Sequence, residues 1–244
     1  MIRIARPATP PAALNTPSIR TYLAACAAYK ADDTSPKPKP PVSYRSSDLL
    51  AVFETHFHAK CYLTEQKFAS AWEMDVDHFE PANQAPSRVY DWTNLFPAAH
   101  KANMMRPRSL PPGGLLDPCV DDVETNIIYT LVDFGEEPYF RAQDPTNQAA
   151  LNTAGLLNDL HNGKANDTDS RSNTRELRKL IKRQYDKVLL AWGHYKDALG
   201  DNDPQDIAHA EAELRMLLSR RASFTMLMRS LPFIRKRVPA HLLD

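Results

Sequence analysis

Glycine is scarce in this 244-residue chain, 7 residues against 20 prolines, an unusual ratio for a globular protein. Cysteine is scarcer still. Cys26, Cys61 and Cys119 are odd in number and scattered, which excludes a paired disulfide framework and fits a reducing cytoplasm. No charge sign dominates, because 30 basic residues balance 30 acidic ones. That excludes a protein that coats nucleic acid by bulk charge and leaves room only for a local basic cleft. No apolar run approaches the roughly 20 residues of a membrane span. The opening Met1-Ile-Arg-Ile-Ala-Arg-Pro7 has no apolar signal core, so a soluble, cytoplasmic protein without membrane contact is expected. No internal repeat or sustained heptad register appears. What is present is 43% hydrophobic residues, enough for a packed core.

The prolines divide the chain. They cluster at residues 7–17 and 36–41, with Lys37-Pro-Lys-Pro-Pro41 as the clearest linker, and such segments are extended and semi-rigid. Residues 1–45 therefore read as a proline-rich arm, interrupted by a short helix from Ser18 to Tyr29. Its apolar groups Ile2, Ile4, Leu14, Ile19, Tyr22 and Leu23 are expected to dock onto another protein, leaving the arm dispensable for folding the rest, with packing back onto the chain's own helices as the alternative. Ser46 or Ser47 caps a helix to about Lys60, with Leu49, Leu50, Phe53 and Phe57 at helical spacing. Residues 46–125 form the central block, broken off by Pro111-Pro112-Gly113-Gly114. Residues 126–244 read as a β-hairpin, Asn126–Phe134 turning at 135–138 into Tyr139–Arg141, followed by helices. Those helices are expected over Thr146–His161 (ended by Asn162-Gly163), Thr174–Leu199 (capped by Gly200) and Pro204–Leu231. Residues 165–173 read as a polar loop.

The chemistry concentrates between residues 75 and 106. Asp75-Val-Asp-His-Phe-Glu-Pro81 is followed by Tyr90-Asp-Trp-Thr-Asn-Leu95, then Asn103 and Arg106. Asp77 and Asn103 are oxygen ligands suited to one hard cation, Mg²⁺ or Mn²⁺. His78 titrates near neutrality and can take a proton from an attacking water. A divalent cation there would neutralise charge on a phosphate and its leaving oxygen. Two short strands would carry these residues, with His78 on the first, Asn94 bracing the intervening loop and a helix from about Ala98 bringing Asn103 back. Asp75 would support the cation or face solvent.

This ordered set resembles the HNH (ββα-metal) nucleases. With Cys61 before it, Tyr90–Leu95 within it and Leu115-Leu-Asp-Pro118 after it, it is similar to the HNH subunits of Septu-type and retron-associated anti-phage systems. The resemblance is specific from about Cys61 to Pro118 and loose elsewhere. It implies a mainly α fold with a small embedded ββα-metal motif and one additional β-hairpin. It also implies an endonuclease acting with an ABC-like ATPase subunit and, in retron operons, with a reverse transcriptase and its RNA–DNA hybrid. The substrate could be DNA or RNA, tRNA included, since nothing here reads a base or a 2′-hydroxyl. The implied roles are catalytic for His78, Asn94 and Asn103, cation-binding for Asp77 and Asn103, and phosphate-binding for Arg106 and Lys101. A catalytically inactive adaptor that binds the ATPase is the alternative.

The chain departs from that family at its structural zinc. Where two C-x-x-C pairs are usual, the sequence reads Cys61-Tyr-Leu-Thr64 and Ala99-His-Lys-Ala102, so a tetrahedral Cys₄ site cannot form. Packing by Trp72, Phe79, Trp92, Leu95 and Phe96 would have to replace it. His58, Cys61 and His100 are a conceivable substitute set. Basic residues recur at Arg88, Lys101, Arg106 and Arg108 near the motif. They recur more densely at Arg171, Arg175, Arg178, Lys179, Lys182 and Arg183, either as a phosphate-binding run or as a solvated face. The purified protein is expected to hold no stoichiometric zinc; elemental analysis finding one tightly bound zinc per chain would contradict that reading of Thr64, Ala99 and Ala102.

Overall fold

A computed structural model describes residues 1–31, 38–132, 137–164 and 167–243. The N-terminal segment does not behave as an arm. Met1, Ile2 and Ile4 are buried, and the Ile4 N–H donates to the Pro118 carbonyl at 2.9 Å. The Arg6 guanidinium lies over the rings of Phe96 (4.3 Å), Trp92 (4.4 Å) and Phe57 (5.3 Å) and donates to the Leu95 carbonyl at 3.0 Å. Helix α1 (Pro17–Ala31) opens on a proline, whose missing N–H costs nothing at a first helical position, and buries Ile19, Tyr22 and Cys26. The expectation of a dispensable docking arm is thus corrected: these apolar groups are covered by the chain's own core. Of the linker Lys37–Pro41, Lys37 lies outside the described residues.

Helix α2 (Ser47–Thr55) is capped by Ser46, whose hydroxyl accepts from the Leu49 N–H. It stops well short of Lys60 because His58 and Ala59 adopt left-handed backbone angles, φ 57° and 51°. Strands β1 (Asp75–His78) and β2 (Leu95–Ala98) pair antiparallel with Asp75 opposite Ala98 and His78 opposite Leu95. Helix α3 (His100–Met105) follows after a single residue and packs back on β1. Of the side chains expected to replace the zinc, Trp92, Leu95 and Phe96 are buried and Phe79 packs on Phe96, but Trp72 is 61% exposed. Its neighbour Ala71, in the same short turn, takes the inward position.

A four-residue α4 (Val123–Asn126) leads into the second sheet, β3 (Ile127–Val132) against β4 (Glu137–Ala142); the turn at 133–136 lies outside the described residues. Helix α5 (Gln148–Asn162), capped by Asn147, completes the hydrogen bonds of β4. Asn158 accepts from the Phe140 N–H and donates to its carbonyl, at 3.0 and 2.8 Å. Residues expected as a loop instead form α6 (Thr168–Asn173), which runs directly toward α7 (Arg175–Asp201); residues 165–166 lie outside the described set. The cap of α7 is Asn202 in the left-handed region (φ 55°), not Gly200.

The helix expected from Pro204 to Leu231 is divided into α8 (Pro204–Leu218), α9 (Thr225–Arg229) and α10 (Pro232–Arg237). Lys60 enters the break, donating to the Arg220 carbonyl at 3.0 Å and the Thr225 hydroxyl at 3.1 Å. An internal lysine thereby satisfies groups that a continuous helix would have paired. The molecule is mainly helical with two small antiparallel sheets, and among the described residues no helix is long and apolar enough to cross a membrane.

Glu65 closes this arrangement. Its buried carboxylate pairs with Lys60 at 3.2 Å and with the Met1 ammonium at 3.1 Å. Burial alone would raise its pKa, but these two cations and their hydrogen bonds outweigh that and hold it at about 2, against 4.5 for an ordinary glutamate. A carboxylate with a depressed folded pKa contributes stability above the unfolded value and loses it as pH falls toward the folded one. Glu65→Gln is expected to lower stability at neutral pH by about 3 kcal/mol, because it strands two buried cations. Denaturant melts should also show a flatter acid limb between pH 4.5 and 2 for the variant.

Candidate active site

The two-residue period of β1 sorts the motif onto two faces. Asp75 and Asp77 meet α3 and the residue that ends it, whereas His78 meets Tyr44 and Val89 on the other side. The His78 Nε2 lies 3.0 Å from the Val89 carbonyl oxygen. A carbonyl only accepts, so in the neutral ring Nε2 carries the proton and Nδ1 keeps its lone pair. Tyr44 packs edge-on against the ring, 4.7 Å between centroids. Burial lowers the His78 pKa from 6.5, opposed by the Val89 carbonyl and the nearby Asp77 charge. The imidazole is therefore held in its basic form at neutral pH, with one nitrogen fixed.

Asn94 is wholly buried and spans the loop between the strands. Its carbonyl oxygen accepts from the Glu80 N–H at 2.7 Å, and its amide donates to the Glu80 and Arg88 carbonyls, each at 3.1 Å. Arg88 adds a second layer, donating to Asp91 at 2.8 Å, to Thr93 at 3.0 Å and to Glu80. Asp91 caps the turn Trp92–Asn94. Arg88 thus binds the loop to itself.

Arg106 differs from the expected phosphate ligand. It is 7% exposed, pairs with Asp77 at 2.6 Å and donates to the carbonyls of His78 (2.6 Å) and Phe79. A desolvated guanidinium needs an anion and carbonyls around it, and β1 supplies both. The Tyr62 hydroxyl also donates to Asp77 at 2.7 Å, to the same Oδ2 that Arg106 binds. Asn103 donates instead to Asp75 Oδ2 at 3.0 Å, and His100 Nδ1 lies 2.9 Å from that same oxygen.

Asp75, His100 and Asn103 are the residues best placed to hold a divalent cation. Cis ligands about 2.1 Å from an octahedral cation stand roughly 3 Å apart, and His100 Nδ1 and Asn103 Nδ2 lie 2.9 and 3.0 Å from Asp75 Oδ2. Asn103 would turn its amide to present oxygen. Half-exposed Asp75 and exposed His100 leave room for bound water. His100 is missing from the sequence-derived site, although its i, i+3 spacing to Asn103 could have suggested it. Tyr44 and Tyr62 carried no such signal. Lys101 is exposed on α3.

Thr64, Ala99 and Ala102 line one crevice of about 240 Å³ between α3 and α7. The Thr64 N–H points at Cys61 Sγ, 3.5 Å away. The substitute zinc set is not assembled, because His100 is engaged with Asp75 while His58 and Cys61 line a different cavity. Among the described residues no three His, Cys, Asp or Glu side chains form a metal-binding group. The chain matches no family model, no curated protein and no solved structure.

The enclosed ring makes a direct prediction. The His78 C–H resonances should titrate in NMR with a midpoint below 6.5. Because the unfolded chain binds that proton more tightly, this group lowers stability progressively as pH falls from 6.5 toward its folded value. A midpoint at or above 6.5 would mean that the ring is not enclosed as described.

Proposed function

We propose that this protein is a metal-dependent HNH-type endonuclease, the effector subunit of an anti-phage system, hydrolysing phosphodiester bonds in DNA or RNA alongside an ABC-like ATPase. In a retron setting a reverse transcriptase and its RNA–DNA hybrid would complete the assembly. The observation that carries this reading is spatial. Thr64, Ala99 and Ala102, where the resembled family places thiolates, line one crevice, and Cys61 sits against Thr64. The order strand, braced loop, strand, helix over residues 75–105 supports the same reading.

In this proposal His78 Nδ1 takes a proton from water as the water oxygen bonds to phosphorus. The bond from phosphorus to the leaving oxygen breaks, and that oxygen is protonated from solvent. A divalent cation beside the phosphate would neutralise its developing charge. Asn94 and Arg88 fix the loop whose Val89 carbonyl orients His78. Asp77 and Arg106 act as positioning residues that lock β1 against the end of α3.

One observation favours a second reading, a non-catalytic adaptor that binds the ATPase: Asp77, the carboxylate beside the histidine, is occupied by Arg106 and Tyr62. Cleavage assays with the ATPase present separate the two. Under the enzyme reading His78→Ala lowers nucleolysis by about 10²-fold or more while partner binding persists. Asp75→Asn, on the opposite face of β1, should lower both cleavage and Mn²⁺ affinity. A wild-type chain that binds the ATPase and cleaves neither DNA nor RNA would establish the adaptor.

A further inference from the structure

Three regions stand outside the candidate site: a cavity of about 620 Å³ beneath residues 2–6, the exposed apolar residues Leu190 and Met216 on α7 and α8, and the basic start of α7. The first is lined largely by groups already paired within the fold, Lys60 and Arg220 among them. For the second, nothing shows what would cover it. The third carries an inference.

Arg175, Arg178, Lys179, Lys182 and Arg183 fall at i, i+3, i+4, i+7 and i+8, so they share one face of α7. That face is opposite the buried Ile181 and Val188. Among the described residues, these five side chains line a concavity of about 340 Å³. Glu176 pairs with Lys179 and Asp186 with Lys182, offsetting two of the five charges. The Arg178 Nε is enclosed there without a hydrogen-bond partner.

This arrangement works against the helix. Like charges at i, i+3 and i+4 repel, and cations in the first turns oppose the positive end of the helix dipole. Two ion pairs relieve part of that repulsion within the helix, and an anion with repeated charges would offset the rest. The stripe runs about 12 Å along the axis, over which one strand of a duplex presents roughly three or four phosphates. A different face of α7 turns toward the candidate site. The crevice between α3 and α7 is lined by His100 and Lys101 on one side and by Glu176, Leu177 and Leu180 on the other. His100 in turn meets Asp75.

We propose that the Arg175–Arg183 face of α7 is a docking track for a nucleic-acid phosphate backbone. The track reads charge and spacing, not sequence, as backbone contacts do. Its link to cleavage rests on the nuclease reading; binding itself does not.

The test uses the full-length His78→Ala protein, so that binding is measured without cleavage. Fluorescent single-stranded and duplex oligonucleotides are titrated across a salt series. A combined Arg175→Gln, Arg178→Gln, Arg183→Gln variant on the same background should fall at least about tenfold in affinity, and its log–log salt slope should shallow by roughly 2 to 3. Its thermal stability should hold or rise, because charges opposing the dipole are gone. With His78 restored, the triple variant should raise KM and leave kcat unchanged. Equal affinity and slope in the two proteins would overturn the track, as would an acidic polypeptide of matched charge density that binds as tightly and loses as much. Track-dependent binding by a chain that never cleaves would sink the nuclease reading and leave this one standing.

Discussion

The fold depends on one buried carboxylate. Glu65 sits in a turn of its own making, at φ 58°, and its side chain gathers Lys60, the Met1 ammonium and the Met226 N–H. Its backbone carbonyl receives the Phe224 N–H. Segments more than 150 residues apart are therefore tied to a single anion. Such an arrangement is weakly stabilising as a whole yet costly to break in part, because each removed partner strands a desolvated charge. It also accounts for the break between α8 and α9, which lets Lys60 reach in.

A second buried pair does for the hairpin what Glu65 does for the chain. Asp77 and Arg106 join β1 to the end of α3, and Tyr62 ties both to the turn after α2. Four residues per strand cannot hold a hairpin through backbone bonds alone. Here Arg106, Asp77, Phe96 and the Arg6–Trp92 stack occupy the surroundings. A buried ion pair and aromatic packing hold this hairpin, while Asp75 on the same strand meets His100 and Asn103.

Residue type and spacing anticipated much of this. The amphipathic periods of α2, α5 and α7, the proline at the start of α8, and the β-branched run Ile127–Val132 are local signals, and each produced its element nearby. Errors gathered where a distant residue decides. The backbone at His58 and Ala59 ends α2 early, and the chain divides after Leu218 because Lys60 and Glu65 lie across from it. Nothing near residue 220 announces either partner.

The sequence by itself determined a mainly helical chain with two hairpins and a histidine, a carboxylate and two asparagines in one order along thirty residues. Alternation along β1, a property of any strand, already implied that Asp75 and Asp77 share a face that His78 does not. Only the tertiary structure decided which carboxylate is spent on Arg106 and which stays open beside Asn103. It alone decided that Arg106 faces inward and that the proline-rich opening segment belongs to the core. The reason is physical: a charge keeps its chemistry only where water or a ligand can reach it. Reach is set by what the rest of the chain lays over each residue, and that is not written in its neighbours.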